Sequence, residues 1–119
     1  MTKISPLAHI HPKAKIGKDV KIDAFAYVDE DVIIGNGTWL AANSVVYAGS
    51  EVGDNCKIFP GAVIGADPQD LKYAGERTKA IIGNNVLVRE FVTINKGTKA
   101  YGKTIVAVSY THLTLPTKA

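Results

Sequence analysis

The chain is poor in the residues that cross-link, span or titrate. Its single cysteine, Cys56, excludes an internal disulfide framework. No apolar run approaches the roughly 20 residues that a helix needs to cross a bilayer, so no transmembrane segment is expected. Pro6 and His9 interrupt the opening stretch where a secretory signal would be continuously apolar, which makes the cytoplasm the expected compartment. There are only three histidines, His9, His11 and His112, badly spaced for a three-histidine zinc centre of the γ-class carbonic anhydrase type. Neither a metal nor a cofactor is expected. Aromatic residues make up 8% of the chain and are not interleaved with basic ones. With no helix-turn-helix pattern either, nucleic acid is not an expected partner despite a sequence pI near 9.0.

What remains is globular: 119 residues, 46% hydrophobic and 21% charged, enough for one domain or part of one. The net charge of +3 is not spread evenly. Residues 1–66 carry 6 Lys/Arg against 7 Asp/Glu, and residues 67–106 carry 7 against 4. The basic excess thus falls in the least regular stretch.

The dominant feature is a repeat of six. From Ile4 the chain reads ISPLAH, IHPKAK, IGKDVK, IDAFAY, VDEDVI, IGNGTW, LAANSV, VYAGSE, VGDNCK, IFPGAV, IGADPQ. Ile4, Ile10, Ile16, Ile22, Val28, Ile34, Leu40, Val46, Val52, Ile58 and Ile64 hold the first place without a slip, while the fifth is small or β-branched. Six is a multiple of the strand period of two and not of the helical 3.6, so the pattern predicts short strands and no helix. The first and fifth places share parity and can both face inward. Gly17, Gly35 and Gly53 follow the aliphatic at intervals of 18 and suit corners, as though three hexads close one turn. The expected fold is all-β: a parallel β-helix of triangular section, a little under six turns long.

After Ile64 the small-residue beat lapses through a polar segment of about residues 67–80, then resumes at Ile82, Val88 and Ile94. The segment is expected to be a loop standing off the prism, and long loops in compact folds commonly carry function. Val106 keeps the phase, but no hexad can be written from 107 to 119. The organisation expected is therefore a repeat domain at 1–106, truncated, and a non-repeat tail at 107–119 that resembles translated adapter sequence.

Two stretches carry a resemblance: Gly65-Ala-Asp-Pro-Gln-Asp-Leu-Lys-Tyr-Ala-Gly-Glu-Arg-Thr78 followed by Ile82-Gly-Asn-Asn, and Arg89-Glu-Phe-Val-Thr-Ile-Asn-Lys-Gly-Thr98. Together with the opening Ile10-His-Pro-Lys-Ala-Lys-Ile-Gly17, they resemble the acyl-carrier-protein–UDP-N-acetylglucosamine O-acyltransferases of lipid A biosynthesis over residues 4–106, as an N-terminal fragment. The resemblance implies a left-handed β-helix, a homotrimer with sites between neighbours, and transfer of a 3-hydroxyacyl group from acyl carrier protein to UDP-N-acetylglucosamine. It further implies that Gln69, Asp70, Leu71 and Lys72 form a loop touching the nucleotide sugar. Asp70 would orient the sugar or a histidine, and Lys72 would offer a cation to the diphosphate or the phosphopantetheine side.

Asn95 stands where many members of that family carry histidine; it can hydrogen-bond but not titrate, which leaves it substrate positioning. The family's general-base histidine has no counterpart, so no catalytic residue is assigned and the fragment is expected to be inactive. The other readings are the N-acyltransferase of the same pathway and an inactive β-helix scaffold. Trp39, beside an aliphatic place, is expected to face outward toward another subunit. Cys56 falls on the small-residue beat, as a packing residue.

Overall fold

In the computed structural model, residues 1–66 and 79–95 are described in full and residues 103–106 as backbone. The described residues form fifteen short strands. The first coil holds β1 (Lys3–Ile4), β2 (His9–Ile10) and β3 (Lys15–Ile16), and the second β4 (Lys21–Ile22), β5 (Tyr27–Val28) and β6 (Ile33–Ile34). The third holds β7 (Trp39–Leu40), β8 (Val45–Val46) and β9 (Ser50–Val52), and the fourth β10 (Lys57–Ile58), β11 (Val63–Ala66) and β12 (Lys79–Ile82). The fifth holds β13 (Leu87–Val88), β14 (Thr93–Asn95) and β15 (Lys103–Val106).

Every strand pairs in parallel with the strand three places on, giving three five-stranded sheets: β1-β4-β7-β10-β13, β2-β5-β8-β11-β14 and β3-β6-β9-β12-β15. A hexad supplies one side of the prism, and three sides bring the chain back above its start. The register shows the rise of 18, Lys3 pairing with Lys21 and Lys21 with Trp39; the bonds run to the residue before the partner, the Lys3 amide donating to the Val20 carbonyl at 2.8 Å and Lys21 to Thr38 at 3.0 Å.

Both inward columns of the repeat are buried. Ile22, Val28, Ile34, Leu40, Val46, Val52, Ile58 and Ile64 fill one, and Val20, Ala26, Val32, Thr38, Ser44, Ser50, Cys56 and Ala62 the other. The inward hydroxyls are satisfied locally, as buried polar atoms must be. Thr38 Oγ1 donates to the Gly53 carbonyl and Ser44 Oγ to the Ala41 carbonyl, each at 2.7 Å. The first coil has a neighbour on one side only, so Ile4 is exposed while Ile10 and Ile16 are half-buried.

The corners use a different residue from the one the repeat suggests. Gly17, Gly35 and Gly53 do not take positive φ; the left-handed positions between the third and first sheets are Asp19, Gly37, Asn55 and Asn85. The glycines are required because an Asn or Asp side chain from the next coil lies against each. A Cβ on Gly17, Gly35 or Gly53 would come within 2.4 Å of Oδ1 of Asn36, Asp54 or Asn84. These oxygens form a ladder along the edge, accepting from the backbone amides of Lys18, Asn36 and Asp54 at 2.7–2.8 Å.

Period alone also misplaces the second half. A regular step from the second sheet to the third takes six residues, as from Val46 to Val52. The same step takes eighteen from Ile64 to Ile82 and twelve from Ile94 to Val106. These surpluses of twelve and six are whole hexads in length, so the phase survives although no turn is completed. Ile64 pairs with Ile94, not with Ile82, and the described residues make five turns of the prism instead of nearly six. Lys79 and Ala80, expected in the loop, are strand residues: Ala80 is buried in register with Ser50, taking the small inward place.

Candidate functional site

Both surpluses fall between a second-sheet strand and a third-sheet strand, in adjacent coils. The segment after β11 returns as β12, and the segment after β14 returns as β15. β11 lies beside β14 and β12 beside β15. The departure points are in register, Ala66 against Asn95, and so are the return points, Lys79 against Lys103. The fold therefore brings the flanking residues of both polar segments to one edge. Of the expected site residues, Asn95 is placed, half-buried at the end of β14. Gln69, Asp70, Leu71 and Lys72 lie outside the described residues, as do His112 and the tail at 107–119.

Around this root the backbone is distinctive. Val63 and Ile64 pair with Thr93 and Ile94, but the next pair is Ala66 with Asn95, so Gly65 is an extra residue. Its φ is +85°, and Ser50 Oγ occupies the space where a Cβ would stand. In the sequence Gly65 stands only as the first residue of the stretch that carries the resemblance; its place at the very end of the regular repeat was the available signal. Nearby, Lys79 Nζ lies 2.9 Å from Glu51 Oε2, an exposed pair that fixes the start of β12 only weakly.

The histidines lie elsewhere. His9 in β2 stacks on Tyr27 at 5.0 Å between ring centroids, and β2 and β14 are the two outer strands of the same sheet. Four strand spacings separate them, about 19 Å. His11 accepts the Lys13 amide through Nδ1 and sits 4.0 Å from Glu30. Neither can take a proton at the Asn95 corner of the same chain.

Arg89 and Glu90 also fall outside the corner. The Arg89 guanidinium lies 4.2 Å over the Phe59 ring and pairs with Glu90 at 3.1 Å. The Glu90 amide and then Arg89 hold the Glu90 carboxyl below its ordinary range. Phe59 meets the edge of Trp39 at 5.3 Å, and Trp39 Nε1 donates to Asp23 Oδ2 at 2.9 Å. Trp39 does lie on the outward side of its strand, but in a ladder over four coils of its own chain. Cys56 is buried, with Sγ 3.0 Å from the Gly83 carbonyl, and burial pushes its thiol up. It packs; it is no nucleophile.

The family model described as the GMPPB C-terminal domain matches residues 4–112. An acyl-(acyl-carrier-protein)–UDP-N-acetylglucosamine O-acyltransferase from Thermodesulfovibrio yellowstonii is 44% identical over 100 residues, 84% of this chain and 39% of the relative. Among solved structures, a UDP-N-acetylglucosamine acyltransferase from Bacteroides fragilis superposes with a TM-score of 0.86 at 57% identity, over 87% of this chain and 40% of that one. The O-acyltransferase from Moraxella catarrhalis gives 0.84 at 36% identity, with the same coverage of 87% and 40%. The prism is thus a left-handed parallel β-helix. The chain spans about two-fifths of the length of these relatives.

Proposed function

The chain belongs to the GMPPB C-terminal domain family and is similar to UDP-N-acetylglucosamine O-acyltransferases over about two-fifths of their length; from that premise we propose that it is the sugar-positioning part of such an enzyme. The whole protein moves a 3-hydroxyacyl group from acyl carrier protein to the 3-hydroxyl of UDP-N-acetylglucosamine, the first step of lipid A biosynthesis. The observation that carries this reading is the shared corner. Ala66, the last described residue before Gln69-Asp70-Leu71-Lys72 in the sequence, pairs with Asn95, which supports reading these polar and cationic groups as parts of one nucleotide-sugar site.

The reaction joins the sugar oxygen to the acyl carbonyl carbon and breaks the carbon–sulfur bond. The hydroxyl proton passes to a base and then to the leaving thiol, and the tetrahedral oxyanion needs hydrogen-bond donors. In this reading Lys72 meets the diphosphate, Asp70 orients the sugar and Asn95 hydrogen-bonds to the substrate. None of these is assigned as the general base, a role the resemblance gives to a histidine absent from this chain, and His9 and His11 are distant, so the 119 residues bind without turning over. Acyl carrier protein is acidic and finds the basic excess of residues 67–106. The full protein works in the cytoplasm as a homotrimer whose sites lie between neighbours.

Calorimetric titration of UDP-N-acetylglucosamine into the chain tests the proposal. Saturable binding, weakened by Asp70→Ala and Asn95→Ala, with no acyl transfer from 3-hydroxyacyl carrier protein, is the expected outcome. Absence of saturable binding, or binding that neither substitution weakens, overturns it.

A further inference from the structure

We infer that Gly65 is a positioning residue: its bulge sets the direction in which the segment bearing Gln69–Lys72 leaves the prism. This rests on the reading above, in which that segment meets the nucleotide sugar. In the same column of the second sheet stand His11, Asp29 and Tyr47, none of which takes a positive φ. Gly65 alone of that column turns to +85°. The turn coincides with the one register shift among the described pairings, and it brings Ala66 opposite Asn95. Ala66 is the last described residue before the segment that bears Gln69–Lys72.

The bulge is held from inside the prism. Ser50, the first residue of β9, is fully buried, and its Oγ would lie 2.0 Å from a Cβ at position 65. The same hydroxyl approaches the Ile64 carbonyl at 3.4 Å, and the Tyr47 carbonyl closes the other side at 3.2 Å from that Cβ. An L side chain here meets both a left-handed backbone and occupied space, so the chain must leave by another path. Gly65 touches no substrate; it acts through where it sends the chain.

The control is Gly53→Ala. It also forces an overlap, 2.4 Å from Asn84 Oδ1 and 2.5 Å from the Gly83 carbonyl, but at the corner between the third and first sheets. A second variant, Gly65→Ala with Ser50→Ala, removes the hydroxyl and leaves the new methyl 3.4 Å from the residue-50 Cβ, so it keeps the turn strained but relieves the crowding.

Two readouts on the full chain separate the inference from the reading it rests on. Tryptic cleavage after Lys72 and Arg77, followed by mass spectrometry below the unfolding transition, is expected to change about fivefold or more in Gly65→Ala. It returns partway in the double variant and stays unchanged in Gly53→Ala. Equal changes in Gly65→Ala and Gly53→Ala, or none in either, overturn the inference. Affinity for UDP-N-acetylglucosamine is expected to fall about tenfold in Gly65→Ala and to hold in Gly53→Ala. A shifted cleavage pattern with unaltered affinity sustains the positioning of the segment and sinks its assignment to the sugar.

Discussion

The clearest perturbation of the fold is Gly35→Ala. If the repeated glycine served a left-handed backbone, asparagine would be tolerated there and alanine would cost mainly φ strain. The structure gives a different cause. A Cβ at position 35 stands 2.4 Å from Asp54 Oδ1 and 2.5 Å from both the carbonyl carbon and oxygen of Gly53. The carboxylate can swing away, but the backbone carbonyl cannot, because it accepts from Thr38 Oγ1 inside the prism. Overpacking of this kind costs about 1–3 kcal/mol. Moving Asp54 also breaks its 2.8 Å bond from the Asn36 amide, an exposed bond to a charged acceptor that adds about 1 kcal/mol.

The expected total is about 2–4 kcal/mol, which in urea lowers the midpoint by about 1–3 M. Far-UV circular dichroism through a urea titration measures it. Two companions sharpen the test. Gly35→Asn should be at least as harmful as Gly35→Ala, since it adds volume where volume is the problem. Gly35→Ala with Asp54→Ala should lose about 1 kcal/mol less than the sum of the singles, since the carboxylate partner of the clash is gone. A Gly35→Ala unfolding free energy within about 0.5 kcal/mol of the parent, or rescue by asparagine, refutes the reasoning.

Three further outcomes are expected. The Cys56 thiol is held above its ordinary range by burial, so stability is full at neutral pH and declines as alkalinity ionises the unfolded thiol first. Cys56→Ala should flatten that decline, and iodoacetamide should label the parent slowly until urea is added. Asp23→Ala removes the acceptor of Trp39 Nε1, for a loss of about 1–2 kcal/mol and altered tryptophan emission; Asp23→Asn should recover most of it. Phe25 is an exposed phenyl at φ +66°, a conformation that asparagine bears better, so Phe25→Asn should be neutral or stabilising by up to about 1 kcal/mol in thermal melts.

The hexad made most of the prism legible because a strand period of two and a three-sided turn both divide eighteen. The inward identity of residues such as Ile58 and Cys56 follows from parity alone. Parity is blind, however, to surpluses that are themselves multiples of six. The segment from Ile64 to Ile82 keeps phase whether it completes a turn or stands away from one, and only the pairing of Ile64 with Ile94 distinguishes them. The glycines were correctly placed at corners, but their cause, contact with the coil above, is long-range and invisible to a local rule. The proposed site rests on the resemblance in residues 65–98 and not on the hexad. The convergence of Ala66 and Asn95 on one edge needs the register, which no single hexad encodes.

The stacking order has a consequence for where damage matters. Each coil touches only the coil before and the coil after, so an interior coil takes part in two interfaces and the first coil in one. A lesion at Leu40 in the third coil severs the solenoid into two short stubs, whereas the same lesion at Ile4 frays one end. Sensitivity to equal cuts should therefore rise and fall along the axis as a hump, set by position in the stack more than by the residue removed.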